Sequence, residues 1–395
     1  MFGHLFAGRM AGLGFESAFV VLARAKELER AGQSVIHLEI GEPDFTTPQH
    51  IIASGVQALR DGMTHYTPTA GIVELREAIA ADYEIRKGVK ADPQGVVVVP
   101  GGKPIIFYTV LALVNPGDEV IIPDPGFPVY ESVVRLAGGV PVPLPITEEN
   151  DFRLRVEDLQ ALIGPRTKLL ILNSPANPTG GVLTQEDLQG IAQCVAGKNI
   201  FVLADEIYDE IVYEGTAPSL ATIDGMQDWT IILNGFSKTY AMTGWRIGYG
   251  IMHPEIAEQV ALLLVNSCSC TAAFTQVAGL QALQGPHAEV EEMVAEFRRR
   301  RDLVVDGLNA IPGISCRRPK GAFYAFPNIR ATGLSSQELA DALLEEAGVA
   351  TLSGTAFGQY GEGYLRISYA NSIPNLEQAL ARIADLLRIR FGIAV

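Results

Sequence analysis

From Val96 onward the chain repeats one pattern: a short apolar run, a Gly or Pro break, then a stretch with helical periodicity. The runs are VVVVP, EVIIP, VPVPLP, KLLILN, IFVLAD, TIILNG and RIGYGIM, and most are continuously hydrophobic rather than alternating. A strand needs that composition when both of its faces are covered, so the pattern predicts a mostly parallel mixed sheet flanked by helices. Upstream, Phe19–Ala31 reads as a helix stopped by Gly32, and SVIHLEIGEPDF as a strand leaving into a turn at Gly41–Pro43. Helices over Pro48–Arg60 and Ile72–Arg86 bracket THYTPTAG, whose Thr, Pro and Gly content makes it a loop. After about Pro286 a long helical region gives way to GISCRRP, GAFYAFPN, VATLSG and YLRISYA, then a last helix. That arrangement predicts a smaller α+β domain on which the N-terminal helix packs. The expected division is an arm at 1–14, a discontinuous small domain at 15–47 and 287–395, and a large α/β domain at 48–286.

Composition narrows the function classes. A chain of 395 residues exceeds one compact core. The net charge of −15 and the lack of an extended basic patch argue against a nucleic-acid surface. The one basic run, Arg298–Arg301, lies in an acidic amphipathic pattern and reads as a solvated helix face. Cys194, Cys268, Cys270 and Cys316 have neither metal-ligand spacing nor a disulfide framework, which predicts no metal site and a reducing, cytoplasmic compartment. No apolar run approaches the ~20 residues that span a bilayer. The segment before Ala25 is the one stretch resembling a signal peptide, but Glu16 interrupts it, and an N-terminal arm is the expectation.

Candidate chemistry collects at the ends of the predicted strands. In NGFSKTYAMTGWRIGY, Lys238 follows a buried strand, Arg246 lies eight positions on, and Gly244 and Gly248 let the backbone bend close to a ligand. Taken alone, Lys238 is equally well read as a solvated surface lysine. Gly101-Gly102-Lys103 precedes an apolar helix and leaves N–H groups free for an anion, or simply makes a tight turn. Asn173-Ser-Pro-Ala-Asn177-Pro178 builds a stiff loop aiming an amide inward. Asp205-Glu206-Ile207-Tyr208 puts an acid directly after a buried strand, where it needs a cationic partner or caps a following helix. Together these ends offer an anion cradle, an amide, a carboxylate, a phenol, an amine and a guanidinium. Pyridoxal 5′-phosphate calls for that set: a carboxylate for its ring nitrogen, donors for its ring oxygen, a cradle for its phosphate and an amine for its aldehyde.

The motifs NSPANPTG, DEIY, SK…GWRIGY and YLRISYA, in that order, resemble those of class I/II aminotransferases of fold type I, the aspartate aminotransferase-like branch. The resemblance runs from about Phe15 to the C-terminus. It implies that Lys238 is the Schiff-base lysine, that Asp205 pairs with the ring nitrogen, and that Tyr208 and Asn177 hydrogen-bond the ring oxygen. Arg246, Ser237 and the Gly102–Lys103 backbone would hold the phosphate, and Phe127 would stack on the ring. Tyr66 would reach the cofactor of a neighbouring subunit, which implies a homodimer with shared active sites. Arg366 would clamp the substrate α-carboxylate, with Asn177 and a backbone contact at Gly41. At Gly235 the family often has a phosphate-binding Ser; Ser237 or backbone would substitute.

The implied activity is ping-pong transfer of an amino group from an L-amino acid to a 2-oxo acid such as 2-oxoglutarate or pyruvate. No Lys or Arg occurs in Met10–Ala23, Pro104–Val134 or between Arg246 and Arg298, whereas Phe15, Phe19, Phe107 and Phe127 offer an apolar lining. A neutral or aromatic donor is therefore expected, with aspartate as the alternative. A cysteine-conjugate β-lyase uses the same constellation and stays open at this level. A non-catalytic sensor is the remote alternative, since such regulators carry an N-terminal DNA-binding module and this chain is acidic throughout.

Overall fold

A computed structural model describes residues 5–14 and 16–392 of the chain. Helix α1 (Ser17–Arg30) leads to the short strand β1 (Ile36–His37), followed by α2 (Gln49–Arg60) and α3 (Val73–Lys87). Seven strands then form the main sheet: β2 (Val96–Val99), β3 (Glu119–Asp124), β4 (Val140–Pro145), β5 (Thr167–Asn173), β6 (Phe201–Asp205), β7 (Thr230–Gly235) and β8 (Gly248–Ile251). Between them run α4 (Lys103–Leu113), α5 (Val129–Leu136), α6 (Val156–Leu162) and α7 (Gln185–Val195), and after them α8 (Pro254–Cys268) and α9 (Ala273–Gln284). The spatial order is β2-β8-β7-β6-β5-β3-β4, and only β8 runs antiparallel to its neighbours.

The unbroken hydrophobicity of the strands has the cause expected of it. Successive residues point to opposite faces, and both faces are covered. Val97 and Val99 enter one core with Ile105 and Val260 of the helices, while Val96 and Val98 enter another with Leu75 and Ala278. Every residue of β7 is buried, so the chain reaches Lys238 from a rigid support.

The remainder comprises α10 (Ala288–Asn309), β9 (Tyr324–Ala325), α11 (Ser336–Glu345), β10 (Val349–Ala350), β11 (Leu352–Ser353), β12 (Leu365–Ser368) and α12 (Ile373–Phe391). Strands β11, β12 and β9 form an antiparallel sheet, and β1 pairs in parallel with β10, Ile36 opposite Val349. Helix α1 joins this part: Ala25 and Leu28 bury against Leu344 and Ala350, and Arg24 meets Glu345 at 2.7 Å.

Three local expectations are corrected. Only Ile36–His37 of SVIHLEIGEPDF forms a ladder. Beyond Leu38, which still bonds to Ala350 and Ser368, the carbonyls of Glu39 and Gly41 accept from Arg366 and Lys238, so the backbone there serves side chains instead of a neighbouring strand. No helix follows Asp205, so it is not a cap; residues 207–210 form turns. The arginine run is only half solvated. Arg300 meets Asp44 at 2.6 Å and lies over the rings of Phe45 and Phe297, while the buried Arg301 meets Glu214 at 2.8 Å. Paired charges and aromatic faces make that burial tolerable.

Candidate active site

The parallel strands β5, β6 and β7 end side by side, with Asn173 opposite Asp205 and Asp205 opposite Leu233. Their carboxyl edge faces the 39–42 loop, β9 and β12 across a cleft with about 490 Å³ of open space. Lys238, Asp205, Tyr208, Asn177, Arg246 and Arg366 all line it. So do Gly41, Gly102, Lys103, Phe127 and Ser237, which gathers every predicted site residue except Tyr66. Tyr66 stands 88% exposed, away from this cleft.

Lys238 donates from Nζ to the Gly41 carbonyl at 2.6 Å, and its ammonium lies 5.9 Å from the ring centres of Tyr208 and Phe323. Burial pushes its pKa down to about 8. The charges of Arg366, Lys103 and Arg246 push the same way, opposed by Glu42. Gly41 is required where it stands, because a Cβ there would lie 2.2 Å from the Tyr324 hydroxyl.

Asp205 is 5% exposed, and burial raises its pKa to about 6 against hydrogen bonds that favour the anion. Those bonds come from the Tyr130 hydroxyl to Oδ2 at 2.7 Å and the Ile207 N–H to Oδ1 at 3.2 Å. The hydroxyls of Tyr208 and Tyr324 share a hydrogen bond of 2.7 Å. Behind this edge, Lys87 and Glu206 pair at 3.2 Å and Asn234 donates to Asp209 at 3.0 Å, tying β6 and β7 to α3.

The stiff loop after β5 is fixed through Asn173. Its Oδ1 accepts from the Asn177 N–H at 2.8 Å and its Nδ2 donates to the Asp205 carbonyl at 3.1 Å. Asn177 then presents Oδ1 to Arg366 Nη1 at 3.2 Å, while Arg366 Nη2 donates to the Glu39 carbonyl. The guanidinium is sandwiched by Tyr324 and Phe357, 4.6 and 5.0 Å from their ring centres. Its buried Nε has no partner among the described residues. A buried donor left unmade is costly, so this one awaits an acceptor.

At the other end, Gly101 has φ +81° and a Cβ there would lie 2.1 Å from Arg246 Nη2. The Arg246 guanidinium thus rests on bare backbone beside the N-terminus of α4, a place suited to an anion. Gly235 pairs across the ladder with Gly248, and a Cβ on Gly235 would lie 2.9 Å from the Gly248 Cα. No side chain fits there without a shift, and Ser237 faces the cleft instead.

The expected apolar lining is partly revised. Phe19 and Phe127 line the cleft, but the half-buried Phe107 packs against the core outside it, and its buried neighbour Ile106 borders the cleft instead. One residue along a helix turns the side chain by about 100°, which is why the neighbour faces inward. Phe15 lies outside the described residues. Tyr130, Tyr324 and Glu16 also line the site, and none was anticipated from the sequence. Lys103, just before the cation-free stretch that starts at Pro104, also brings its side chain into the cleft, where its Nζ meets Glu16.

The family profile described as Aminotransferase class I and II matches residues 33–383. The aromatic-amino-acid aminotransferase 2 of Thermococcus litoralis is 43% identical over 92% of this chain and 94% of its own length. The aspartate aminotransferase of Pyrococcus abyssi is 44% identical over 90% and 92%. The crystal structure of an aromatic aminotransferase from Pyrococcus horikoshii superposes with a TM-score of 0.88 at 44% identity, covering 93% of this chain and 99% of that one. With its sheet, strand-end constellation and sequence in agreement, the chain belongs to the class I and II aminotransferases, as an enzyme of fold type I.

Proposed function

We propose that the enzyme moves the amino group of a neutral or aromatic L-amino acid to a 2-oxo acid, using pyridoxal phosphate held in the cleft described above. The observation that carries this reading is Lys238: an amine held at about 8 that shares the cleft with a buried carboxylate and, at another end, an anion cradle. The residues fit the cofactor. Arg246, Ser237 and the Gly101–Lys103 backbone would take its phosphate, Asp205 its ring nitrogen, Tyr208 and Asn177 its ring oxygen, and Phe127 its ring face. Asn177 has its Nδ2 without a partner among the described residues, available for that donation. When bound, pyridoxal phosphate supplies an aldehyde that bonds the amine and a ring that accepts electrons from the substrate Cα.

The protein supplies the rest. Lys238 is placed to take a proton from the substrate Cα and to return it, and its low pKa leaves a useful fraction uncharged near neutrality. Arg366, fixed by Asn177, Glu39 and two rings, would orient the α-carboxylate through its unused donors. The apolar surfaces of Phe19, Ile40 and Ile106 suit an apolar side chain.

Tyr66 lies outside this chain's own cleft and is exposed, as are the apolar residues Val56, Leu59 and Met63 in the segment just before it. That supports a homodimer in which Tyr66 completes the partner's site. We further propose an arm at 1–14, a small domain at 15–47 and 287–395 and a large domain at 48–286. Four free cysteines support a cytoplasmic setting. No helix among the described residues is long and apolar enough to cross a membrane.

Purified with the vitamin and reduced by borohydride, the protein should carry a pyridoxyl adduct on Lys238. In single-turnover spectra, kcat/KM for a branched-chain or aromatic donor should exceed that for aspartate; aspartate ranking first would overturn the donor assignment. Arg366→Lys should raise KM for every donor and lower kcat/KM about 100-fold, because an ammonium cannot reproduce the planar fork or satisfy Asn177 and Glu39 together. Steady-state kinetics on two donors of different side chain would check that the loss is shared.

A further inference from the structure

We infer that Glu16 is a specificity-determining residue: its carboxylate, paired with Lys103, occupies the place in the cleft that a second substrate carboxylate would need. The inference rests on the reading of the cleft as the amino-acid site. Glu16 is the N-cap of α1, a position whose side-chain oxygen commonly accepts from the first N–H groups of the helix. Here it makes no such bond. It reaches across to the Lys103 Nζ, which also lies 5.4 Å from the centre of the Phe127 ring. Both members of the pair line the cleft with Arg366. The Glu16 charge is near enough to favour the charged form of the Arg366 guanidinium, and the Lys103 charge is near enough to disfavour that of Lys238.

Among the described residues four cations line the cleft. Lys238, Arg246 and Arg366 have assigned tasks, which leaves Lys103 as the one cation for a substrate side chain. Alone it would attract a distal carboxylate. With Glu16 beside it the pair is charge-balanced, and an incoming carboxylate must either displace Glu16 or lie against a like charge in a site drier than bulk water. A neutral or aromatic side chain meets no such obstacle. The same geometry applies to the acceptor, so a 2-oxo acid with one carboxylate, such as pyruvate, is favoured over 2-oxoglutarate.

The test uses the full-length enzyme loaded with pyridoxal phosphate. In Glu16→Gln, kcat/KM for aspartate relative to leucine, and for 2-oxoglutarate relative to pyruvate, should each rise roughly five- to tenfold. Calorimetric binding of succinate, which does not react, should tighten by a similar factor while that of butyrate does not. Adding Lys103→Gln should abolish both gains, and Glu16→Asp, which retains the charge, should stay near the wild-type ratios. Unchanged ratios and unchanged succinate affinity in Glu16→Gln would overturn the proposal. Wild-type protein inert towards every amino donor would instead overturn the reading of the site itself.

Discussion

Lys238→Ala should lower kcat/KM for every amino donor by at least about 10⁴-fold, the upper end of what a positioned proton-transfer group contributes. On the reading proposed above the substitution removes both the covalent anchor and the base, and the other amine that lines the cleft among the described residues, Lys103, is paired with Glu16. Folding should survive, because a buried amine with a pKa of about 8 is a liability rather than a support. The sign is checkable. The folded-state value lies below the unfolded value of about 10.4, so the unfolded chain binds this proton more tightly. Wild-type stability should therefore gain on that of the variant as pH rises from about 8 to about 10.4. In cofactor-free protein, labelling of Lys238 by an amine-specific reagent should rise through about pH 8, while the exposed lysines wait for about 10.4. A variant that retains transamination, or a residue 238 that labels only with the surface lysines, would remove the basis of the assignment.

What the sequence made legible follows from how far each signal reaches. The sheet was readable because a strand covered on both faces must be apolar at every position, as Val96–Val99 and Thr230–Gly235 are. The strand-end residues were readable because Asp205 and Lys238 each stand directly beyond such a run. Arg366 and Tyr66 were named only through the family resemblance; no local pattern distinguishes an arginine on a strand or a tyrosine in a loop. Some contacts had no sequence signal at all. Tyr130 on α5 meets Asp205 at the end of β6, and Glu16 at the start of α1 meets Lys103 on α4, each across a long separation in sequence. Arg300 and Arg301 looked solvated because their counter-charges, Asp44 and Glu214, come from distant segments. Gly235, read as a missing phosphate ligand, proves to be a packing requirement set by Gly248 on the neighbouring strand.

Asp205→Asn should weaken pyridoxal phosphate binding and lower kcat/KM together by about 10²- to 10⁴-fold. That range corresponds to the roughly 3–5 kcal/mol lost when one partner of a buried ion pair is removed. The variant is nearly isosteric. Ile207 can still donate to the side-chain oxygen, and the Tyr130 hydroxyl can turn to accept from the new amide nitrogen, so thermal stability should change little. On the reading proposed above, the expected loss is therefore electrostatic: an amide cannot balance a protonated ring nitrogen as the buried carboxylate would. The pH dependence separates this from a general disturbance. In the cofactor-free wild type Asp205 takes up its proton near pH 6, so cofactor affinity should fall as pH drops through about 6, where the carboxylate loses its charge. The Asn variant should bind weakly on both sides of that value with no such inflection. Equilibrium titration of both proteins with the cofactor above and below pH 6 decides the matter. Equal affinities at high pH, or the same inflection in both, would show that the charge at residue 205 does not face the cofactor.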